Sequence, residues 1–224
     1  MQNKIHKILA SFVLFAAACS ALAQAPAKRT ELYGQRASLF KELGVDSTTI
    51  VFFGNSLTHG CEWHELLRMP NVVNRGINGD TADGMDERIE TVTTGKPAKI
   101  FFLCGANDVS HNLTPDSIAK AVIAVVDKMR EQTPETKIYL QSLLPINNSF
   151  NRYKAMAGKE ETIRQVNALL EPLAAERGVT WINLYPAFCD DEGNLRKELT
   201  NDGLHLLAPG YLIWKDIVMP YVKE

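Results

Sequence analysis

Residues 49–56, Thr-Ile-Val-Phe-Phe-Gly-Asn-Ser, join an unbroken apolar run to a short polar turn. An apolar run without alternation is typical of a strand covered on both faces, as in a parallel sheet. The same pattern recurs along the chain. The candidate strands are Thr49 to Phe53, a weaker one at Asn71 to Asn74, Lys99 to Cys104, Lys137 to Leu143 and Val179 to Leu184.

Stretches with helical periodicity separate these runs. The candidate helices are Arg29 to Leu43, Glu62 to Arg68, Asp83 to Thr91, Asp116 to Glu131, Lys159 to Arg177 and Pro209 to Val222. Parallel strands need crossover connections, and helices on both faces of the sheet supply them. We therefore expect an α/β fold, a three-layer α/β/α sandwich around a central parallel five-stranded sheet. Since no linker or repeat divides the chain, residues 24–224 are expected to form a single domain.

The first 23 residues have the pattern of a secretory signal peptide. Lys4 and Lys7 precede an apolar run from Ile8 to Ala18, and Ala21-Leu22-Ala23 provides a small-x-small cleavage site. The apolar run of about 11 residues is shorter than the roughly 20 needed to span a bilayer. We expect export, to the periplasm or the medium, and no membrane span.

A second interpretation of this segment changes the localisation. The sequence Ala16-Ala17-Ala18-Cys19 is also compatible with a lipoprotein cleavage box, in which Cys19 would carry a lipid anchor. Such boxes favour a large aliphatic residue where Ala16 stands. The sequence leaves both a soluble exported protein and a lipid-anchored envelope protein open.

Composition excludes several functional classes. The 24 Lys and Arg against 26 Asp and Glu give a net charge of -2, which argues against nucleic-acid binding. After removal of the signal peptide the cysteines are Cys61, Cys104 and Cys189, whose wide spacing favours buried thiols. Neither CxxC nor HExxH occurs, so no metal or other cofactor is expected.

Polar turns follow the predicted strands, where the site of an open parallel sheet lies. Ser56 follows Gly54 at a strand-to-helix turn, a geometry that suits a nucleophile and equally a helix cap. Such a serine needs a base, and Asp202 precedes His205 by three residues near the last helix. This pair could instead be a capped turn followed by a surface histidine.

Gly76 and Asn107 are candidate oxyanion donors. A glycine amide is approachable, and an asparagine side chain donates without carrying charge. Both residues follow predicted strands, and both are also residues that ordinary turns recruit. Each motif is weak alone, and their order along the chain is the stronger signal.

That order resembles the four blocks of the SGNH or GDSL-type serine hydrolases, over nearly all of the chain after residue 23. The first block is similar to Gly54-Asn55-Ser56-Leu57-Thr58, the second to the glycine at position 76, the third to Gly105-Ala106-Asn107-Asp108 and the last to Asp202-Gly203-Leu204-His205. The resemblance implies a flavodoxin-like SGNH hydrolase fold and a carboxylic ester hydrolase.

The resemblance also implies residue roles. Ser56 would be the nucleophile, His205 the general base and then acid, and Asp202 the residue that orients His205. The Ser56 amide, Gly76 and Asn107 would form the oxyanion hole. These assignments are expectations for the structure.

Two further segments resemble one branch of the family, which contains the brain-type platelet-activating-factor acetylhydrolase subunits and many bacterial carbohydrate acetylesterases. The segments are Gly76 to Thr81 and Ser142 to Pro145. One departure is Asn55, where many members carry Asp; Asn keeps the size and the carbonyl acceptor but loses the charge. We expect the turn to be preserved.

The family context favours a secreted esterase that removes short acyl groups, foremost O-acetyl groups, from carbohydrates. The partner would then be a small-molecule or glycan ester. The runner-up is a lysophospholipase or thioesterase for longer acyl chains, which would need an apolar groove. A catalytically silent binding domain is the alternative from another class, and retention of all the catalytic residue types argues against it.

Overall fold

A single parallel sheet forms the centre of the computed structural model, which describes residues 29–224. The strands are β1 (Ile50–Gly54), β2 (Val72–Gly76), β3 (Lys99–Leu103), β4 (Lys137–Gln141) and β5 (Thr180–Ile182). They lie in the order β2-β1-β3-β4-β5, and every neighbouring pair is parallel. This is the flavodoxin-like order, which confirms the predicted sheet. The predicted signal segment and Cys19 lie outside the described residues.

Helices connect the strands. They are α1 (Glu31–Leu43), α2 (Ser56–His59), α3 (Trp63–Leu67), α4 (Ala82–Glu87), α5 (Glu90–Thr93), α6 (Ala106–Ser110), α7 (Pro115–Gln132), α8 (Glu160–Glu176), α9 (Tyr185–Phe188) and α10 (Ala208–Lys223). Short 3-10 turns occur at Asn148–Phe150, Lys154–Met156 and Lys197–Leu199. Among the helices of residues 29–224, none is long and apolar enough to cross a membrane.

Alternate residues of each strand pack into two separate cores. In β1, Val51 and Phe53 belong to a core that contains side chains of α4, α7 and α8. Ile50 and Phe52 face the opposite core, which contains side chains of α3 and α10. Burial on both faces explains why the strands read as continuous apolar runs, and it confirms the three-layer architecture.

A ladder of aromatic rings crosses the sheet on the α3 and α10 side. The rings of Phe52, Phe101 and Tyr139 stack from β1 to β4 at centroid distances of 4.8 and 4.5 Å. Trp63 stacks on Phe52 at 4.0 Å, and Trp214 of α10 meets Trp63 edge-on at 5.1 Å. These contacts attach the last helix to the sheet and so position the loop that precedes it.

The structure differs from the predicted elements at two kinds of place. The predicted helix from Asp83 to Thr91 is broken, because Arg88 leaves the helical conformation (φ -110°, ψ 17°) and separates α4 from α5. The helices α2, α6 and α9 were not predicted. They have four, five and four residues, too few to show a helical period.

The prediction of buried thiols is confirmed for two of the three cysteines at positions 61, 104 and 189. Cys61 and Cys104 are buried, and burial raises the pKa of Cys61 to about 12. Cys189 is only half-buried, and all three are free. A high thiol pKa keeps Cys61 protonated and unreactive at neutral pH.

Candidate active site

Ser56 is the first residue of α2 and lies two residues after the end of β1. Asn55 caps the helix, with its Oδ1 accepting a hydrogen bond from the Leu57 amide at 3.0 Å. The turn is therefore preserved with Asn at this position, as expected. Because the Ser56 amide lies at the helix N-terminus, it has no acceptor within the helix.

His205 connects Ser56 with Asp202. Its Nε2 lies 2.9 Å from Ser56 Oγ, and its Nδ1 lies 2.8 Å from Asp202 Oδ2. When Nδ1 carries the proton and donates to Asp202, the lone pair of Nε2 faces the serine hydroxyl. The structure thus brings together the three side chains predicted to interact, from positions 149 residues apart.

Asp202 is held as a carboxylate by several donors. Partial burial by itself raises its pKa, but the His205 side chain and the backbone amides of His205 and Leu204 outweigh burial and lower the pKa to about 2. The two amides donate to Oδ1 at 2.8 and 2.9 Å. Oδ2 consequently remains directed at the imidazole, charged over the physiological pH range.

Tyr153 is a member of the site that sequence reasoning missed. Its hydroxyl lies 3.2 Å from Asp202 Oδ2 and 3.1 Å from His205 Nδ1, and its ring meets the imidazole edge-on. The residue belongs to the loop between β4 and α8, about 50 positions from His205, and no local motif marks it. The ring covers the His205–Asp202 pair from one side while 41% of the residue stays exposed.

Asn107 lies in the first turn of α6 and lines the same cavity as Ser56. Its Nδ2 donates to the main-chain carbonyl of Asp80 at 2.8 Å. One amide hydrogen is occupied by this bond, which fixes the rotamer, and the second is available to another acceptor. Asn107 therefore fits the predicted role of an oxyanion donor.

Gly76 does not fit its predicted role. Its amide donates to Asn74 Oδ1 at 2.7 Å, and the residue does not line the cavity at Ser56. The prediction that this amide serves the oxyanion is therefore wrong. Gly76 is required for another reason, because a Cβ there would lie 2.2 Å from the His59 amide nitrogen and would push α2 off β2.

Gly79 takes the position expected of Gly76. It lines the cavity beside Ser56 and Asn107, and its amide has no acceptor within residues 29–224. Its φ of +76° is a conformation that glycine adopts at little cost. The Asn78-Gly79-Asp80 turn could have indicated this residue from the sequence. Gly76 was predicted instead because the strand was expected to end at Asn74, whereas β2 extends through Gly76, two residues further.

The cavity at Ser56 has a volume of about 280 Å³. Its lining combines polar groups of the candidate site with small and medium apolar side chains. The apolar members are Leu57, Ala106, Ala155, Met156 and Leu204. A second cavity of about 250 Å³ shares Asn78, Gly79 and Asn107 as a common wall, and its other lining residues include Thr30, Tyr33, Thr81 and His111.

Asp108 gives the protein a predicted pH dependence of stability. Burial raises the pKa of Asp108 to about 6 from an ordinary value of 3.8, although its carboxylate accepts a hydrogen bond from the Ala82 amide. The folded state therefore favours the protonated form of Asp108, and this preference stabilises the fold. The stabilisation is fully present below the pKa that Asp108 has in the unfolded chain, and it is lost as the pH rises through about 6.

Asp108→Asn should remove this loss, because the amide stays neutral. We expect the free energy of unfolding of the variant, relative to the wild type, to rise by at most about 3 kcal/mol between about pH 4 and about pH 7. Urea unfolding at the two pH values measures it. A difference that is the same at both would show that Asp108 ionises alike in the folded and unfolded chains.

Comparison with known proteins gives one family. Residues 52–213 match the profile of the GDSL-like Lipase/Acylhydrolase family. Among curated relatives, platelet-activating factor acetylhydrolase IB subunit alpha1 of Homo sapiens is 28% identical over 169 residues, which cover 72% of this chain and 70% of that protein. The alpha2 subunit of Rattus norvegicus is 26% identical over 168 residues, covering 72% and 70% of the two chains.

Solved structures share the fold. A Streptococcus pneumonia protein named after platelet activating factor has a TM-score of 0.79 and 27% identity, over 85% of this chain and 92% of that one. A GDSL-like lipase from Bacteroides thetaiotaomicron has a TM-score of 0.75 and 23% identity, over 85% and 97%.

Proposed function

This chain belongs to the GDSL-like lipase/acylhydrolase family and is a hydrolase of ester bonds, and from that premise we propose that it removes short acyl groups, acetyl foremost, from carbohydrate esters through an acyl-serine intermediate. The observation that carries the proposal is the line of contacts from Ser56 Oγ through His205 to Asp202, at 2.9 and 2.8 Å. A serine hydroxyl is too weak an acid to attack an ester unaided, and this line supplies the base.

In the first half of the reaction, Ser56 Oγ attacks the ester carbonyl carbon while His205 Nε2 takes the hydroxyl proton. The carbonyl oxygen becomes an oxyanion, for which the Ser56 amide, the Gly79 amide and Asn107 Nδ2 are the donors. His205 then returns the proton to the leaving alcohol oxygen as the tetrahedral intermediate collapses to the acyl-serine. Asp202 stabilises the imidazolium throughout this half.

In the second half, water replaces the alcohol. His205 Nε2 takes a proton from the water as its oxygen attacks the acyl carbon, and the same donors hold the second oxyanion. Collapse of this intermediate returns the proton to Ser56 Oγ and releases the carboxylic acid. The enzyme needs no cofactor for either half.

The volume of the cavity supports a short acyl group. The cavity of about 280 Å³ lies at the small end of the range of about 300–1,000 Å³ that is usual for ligand pockets. That volume accommodates an acetyl group and part of an alcohol, whereas an extended fatty acyl chain would protrude. The curated relatives are named as acetylhydrolases, which also supports acetyl.

A hydroxyl-rich alcohol is supported by the second cavity. It opens beside the first across Asn78, Gly79 and Asn107, and hydroxyl, phenol and imidazole groups contribute to its lining. Gly79 lines both cavities and carries no side chain, and a Cβ there would meet nothing within 4 Å, so the space beside this residue is open. A sugar residue linked to the acyl-bearing one has groups to hydrogen-bond there.

The acyl specificity is tested with p-nitrophenyl esters from acetyl to octanoyl. We expect kcat/KM to fall steeply beyond the shortest chains, because the cavity limits the acyl group. Release of acetate from acetylated xylo-oligosaccharides, measured beside p-nitrophenyl acetate, tests the carbohydrate part. Preference for octanoyl would replace the proposal with a lysophospholipase or thioesterase, and hydrolysis of no ester would overturn it.

Export is part of the proposal and rests on the signal-peptide pattern of residues 1–23. Processing after Ala23 would release a soluble domain of residues 24–224, while processing before Cys19 would leave a lipidated envelope protein. The mass of the mature N-terminus distinguishes the two forms. An unprocessed N-terminus would contradict export by either route.

A further inference from the structure

Arg88 is a buried cation close to the site, and the mechanism above does not use it. Its side chain is 1% exposed, and its guanidinium makes three hydrogen bonds. Nε donates to Asp80 Oδ2 at 2.7 Å, Nη1 to the Arg75 carbonyl at 2.9 Å and Nη2 to the Gly54 carbonyl at 3.0 Å. The guanidinium also lies over the Phe53 ring, 4.6 Å from its centroid.

Two of these bonds hold the ends of neighbouring strands. Gly54 ends β1, two residues before Ser56, so the bond to its carbonyl fixes the start of the turn that presents the Ser56 amide. Arg75 is the penultimate residue of β2, and the segment that leads to Gly79 follows this strand. The same Gly54 carbonyl accepts the Ile77 amide at 3.1 Å, which ties that segment to β1.

The third bond acts through Asp80, the residue after Gly79. The Asp80 carboxylate pairs with Arg88, its amide donates to the Ile77 carbonyl at 3.3 Å, and its own carbonyl accepts Asn107 Nδ2 at 2.8 Å. One residue thus sets the orientation of the Gly79 amide and of the Asn107 side chain. Arg88 thus bonds directly to the segment that carries the Ser56 amide and to the segment that carries the Gly79 amide, and it reaches the third donor, Asn107, through Asp80.

The chemistry of the side chain fits this arrangement. A guanidinium has donors in a rigid planar fork and reaches three acceptors in fixed directions, whereas an ammonium is a compact charge without that fork. A buried ion pair is a weak source of stability, because desolvation opposes the attraction of the charges. The contribution of the Arg88–Asp80 pair is therefore the geometry that it imposes on the backbone around it.

We propose that Arg88, together with Asp80, is a positioning residue that sets the mutual geometry of the Ser56 amide, the Gly79 amide and Asn107 Nδ2. It does not touch the substrate. The inference rests on the proposed function, since it assigns the architecture of the same oxyanion hole. A misplacement of about 1 Å in such a site can cost about 10²-fold in rate.

The test is Arg88→Lys, which keeps the buried charge and loses the fork. With p-nitrophenyl acetate, we expect kcat to fall by about 10²-fold while KM changes by less than about threefold. Rates are normalised to folded protein by circular dichroism. Lys99→Met is the matched control, because Lys99 is a buried cation at the N-terminal end of the central strand β3, where it donates to the carbonyls of Tyr221, Val222 and Glu224. Its loss should lower the Tm and leave kcat unchanged.

A double variant separates positioning from a general structural effect. Asn107→Ala alone should lose about 10² to 10³ in kcat. If Arg88 acts through the oxyanion donors, Arg88→Lys combined with Asn107→Ala should lose at most about tenfold more than Asn107→Ala, because interacting sites are not additive. A loss equal to the product of the two effects would overturn the proposal, as would Arg88→Lys with kcat within about threefold of the wild type.

Asp80→Glu provides the same test if Arg88→Lys does not fold. It keeps the charge pair and displaces the loop by one methylene, so a loss in kcat at constant KM is expected, and full activity would overturn the proposal. The activity of the wild type distinguishes a failure of the proposed function from a failure of the role proposed for Arg88. Absence of hydrolysis by the wild type contradicts the proposed function, whereas active wild type with unaffected variants contradicts only the role of Arg88.

Discussion

Ser56→Ala is expected to lower kcat/KM for p-nitrophenyl acetate on the order of 10⁴ to 10⁶-fold. Without the hydroxyl no acyl-serine can form, and any residual rate comes from water attacking a carbonyl held among the oxyanion donors. The substitution removes one oxygen at a partly exposed position, so the Tm should stay close to that of the wild type. Initial rates under subsaturating substrate measure the effect.

The control for this variant is Ser38→Ala. Ser38 lies on the exposed surface of α1, where its hydroxyl donates to the Gln35 carbonyl. It should keep wild-type kinetics. A loss of less than about tenfold in Ser56→Ala would mean that another group is the nucleophile, and the proposed mechanism would be abandoned.

Asp202→Asn is expected to lower kcat on the order of 10⁴-fold. The Oδ1 of the Asn side chain can still accept hydrogen bonds from the backbone amides of Leu204 and His205, so the loop should keep its shape. What changes is the atom facing His205 Nδ1, because an amide nitrogen donates and cannot accept. The imidazole then turns to the tautomer whose Nε2 carries the proton, and it can no longer take the proton of Ser56.

Asp190→Asn is the matched control for the second variant. Asp190 Oδ1 accepts the amides of Glu192 and Asn194 in a similar turn away from Ser56. Its kcat should equal that of the wild type. If Asp202→Asn kept more than about a tenth of wild-type kcat, orientation of His205 by Asp202 would not be part of the mechanism.

The fold could be predicted from the sequence because its signals are long and local. Strands covered on both faces, such as β1 and β3, read as unbroken apolar runs, and α7 and α8 are long enough to show their period. Short elements have no such signal. The four residues of α2 complete hardly more than one turn, and it is the packing of that turn against Gly76 that holds it.

The site was predictable where each residue sits in a recognisable turn. Ser56, Asn107 and the Asp202–His205 pair fall just after strands or before the last helix, and the structure brings their side chains together. Gly76 was mistaken for Gly79, because the end of a strand is the least certain part of its pattern and the shift moves the inferred donor by three residues.

The remaining members of the site depend on contacts between distant parts of the chain. Tyr153 reaches His205 from a loop about 50 residues away, and Arg88 reaches Gly54 across 34 residues. The predicted helix from Asp83 to Thr91 includes Arg88, but the helical pattern does not show that its side chain turns inward to the Gly54 carbonyl at the end of β1. Such a residue becomes visible only when the hydrogen-bond partners of its guanidinium are identified.

Reaction with diethyl p-nitrophenyl phosphate shows whether Ser56 is the nucleophile. The purified protein is treated with the reagent, and intact-mass and peptide mass spectrometry locate the adduct. We predict one diethylphosphoryl group per chain, on Ser56, formed in step with loss of esterase activity, and none on Ser56→Ala. An adduct at another residue, or continued hydrolysis by fully modified protein, would contradict the role of Ser56 as the nucleophile.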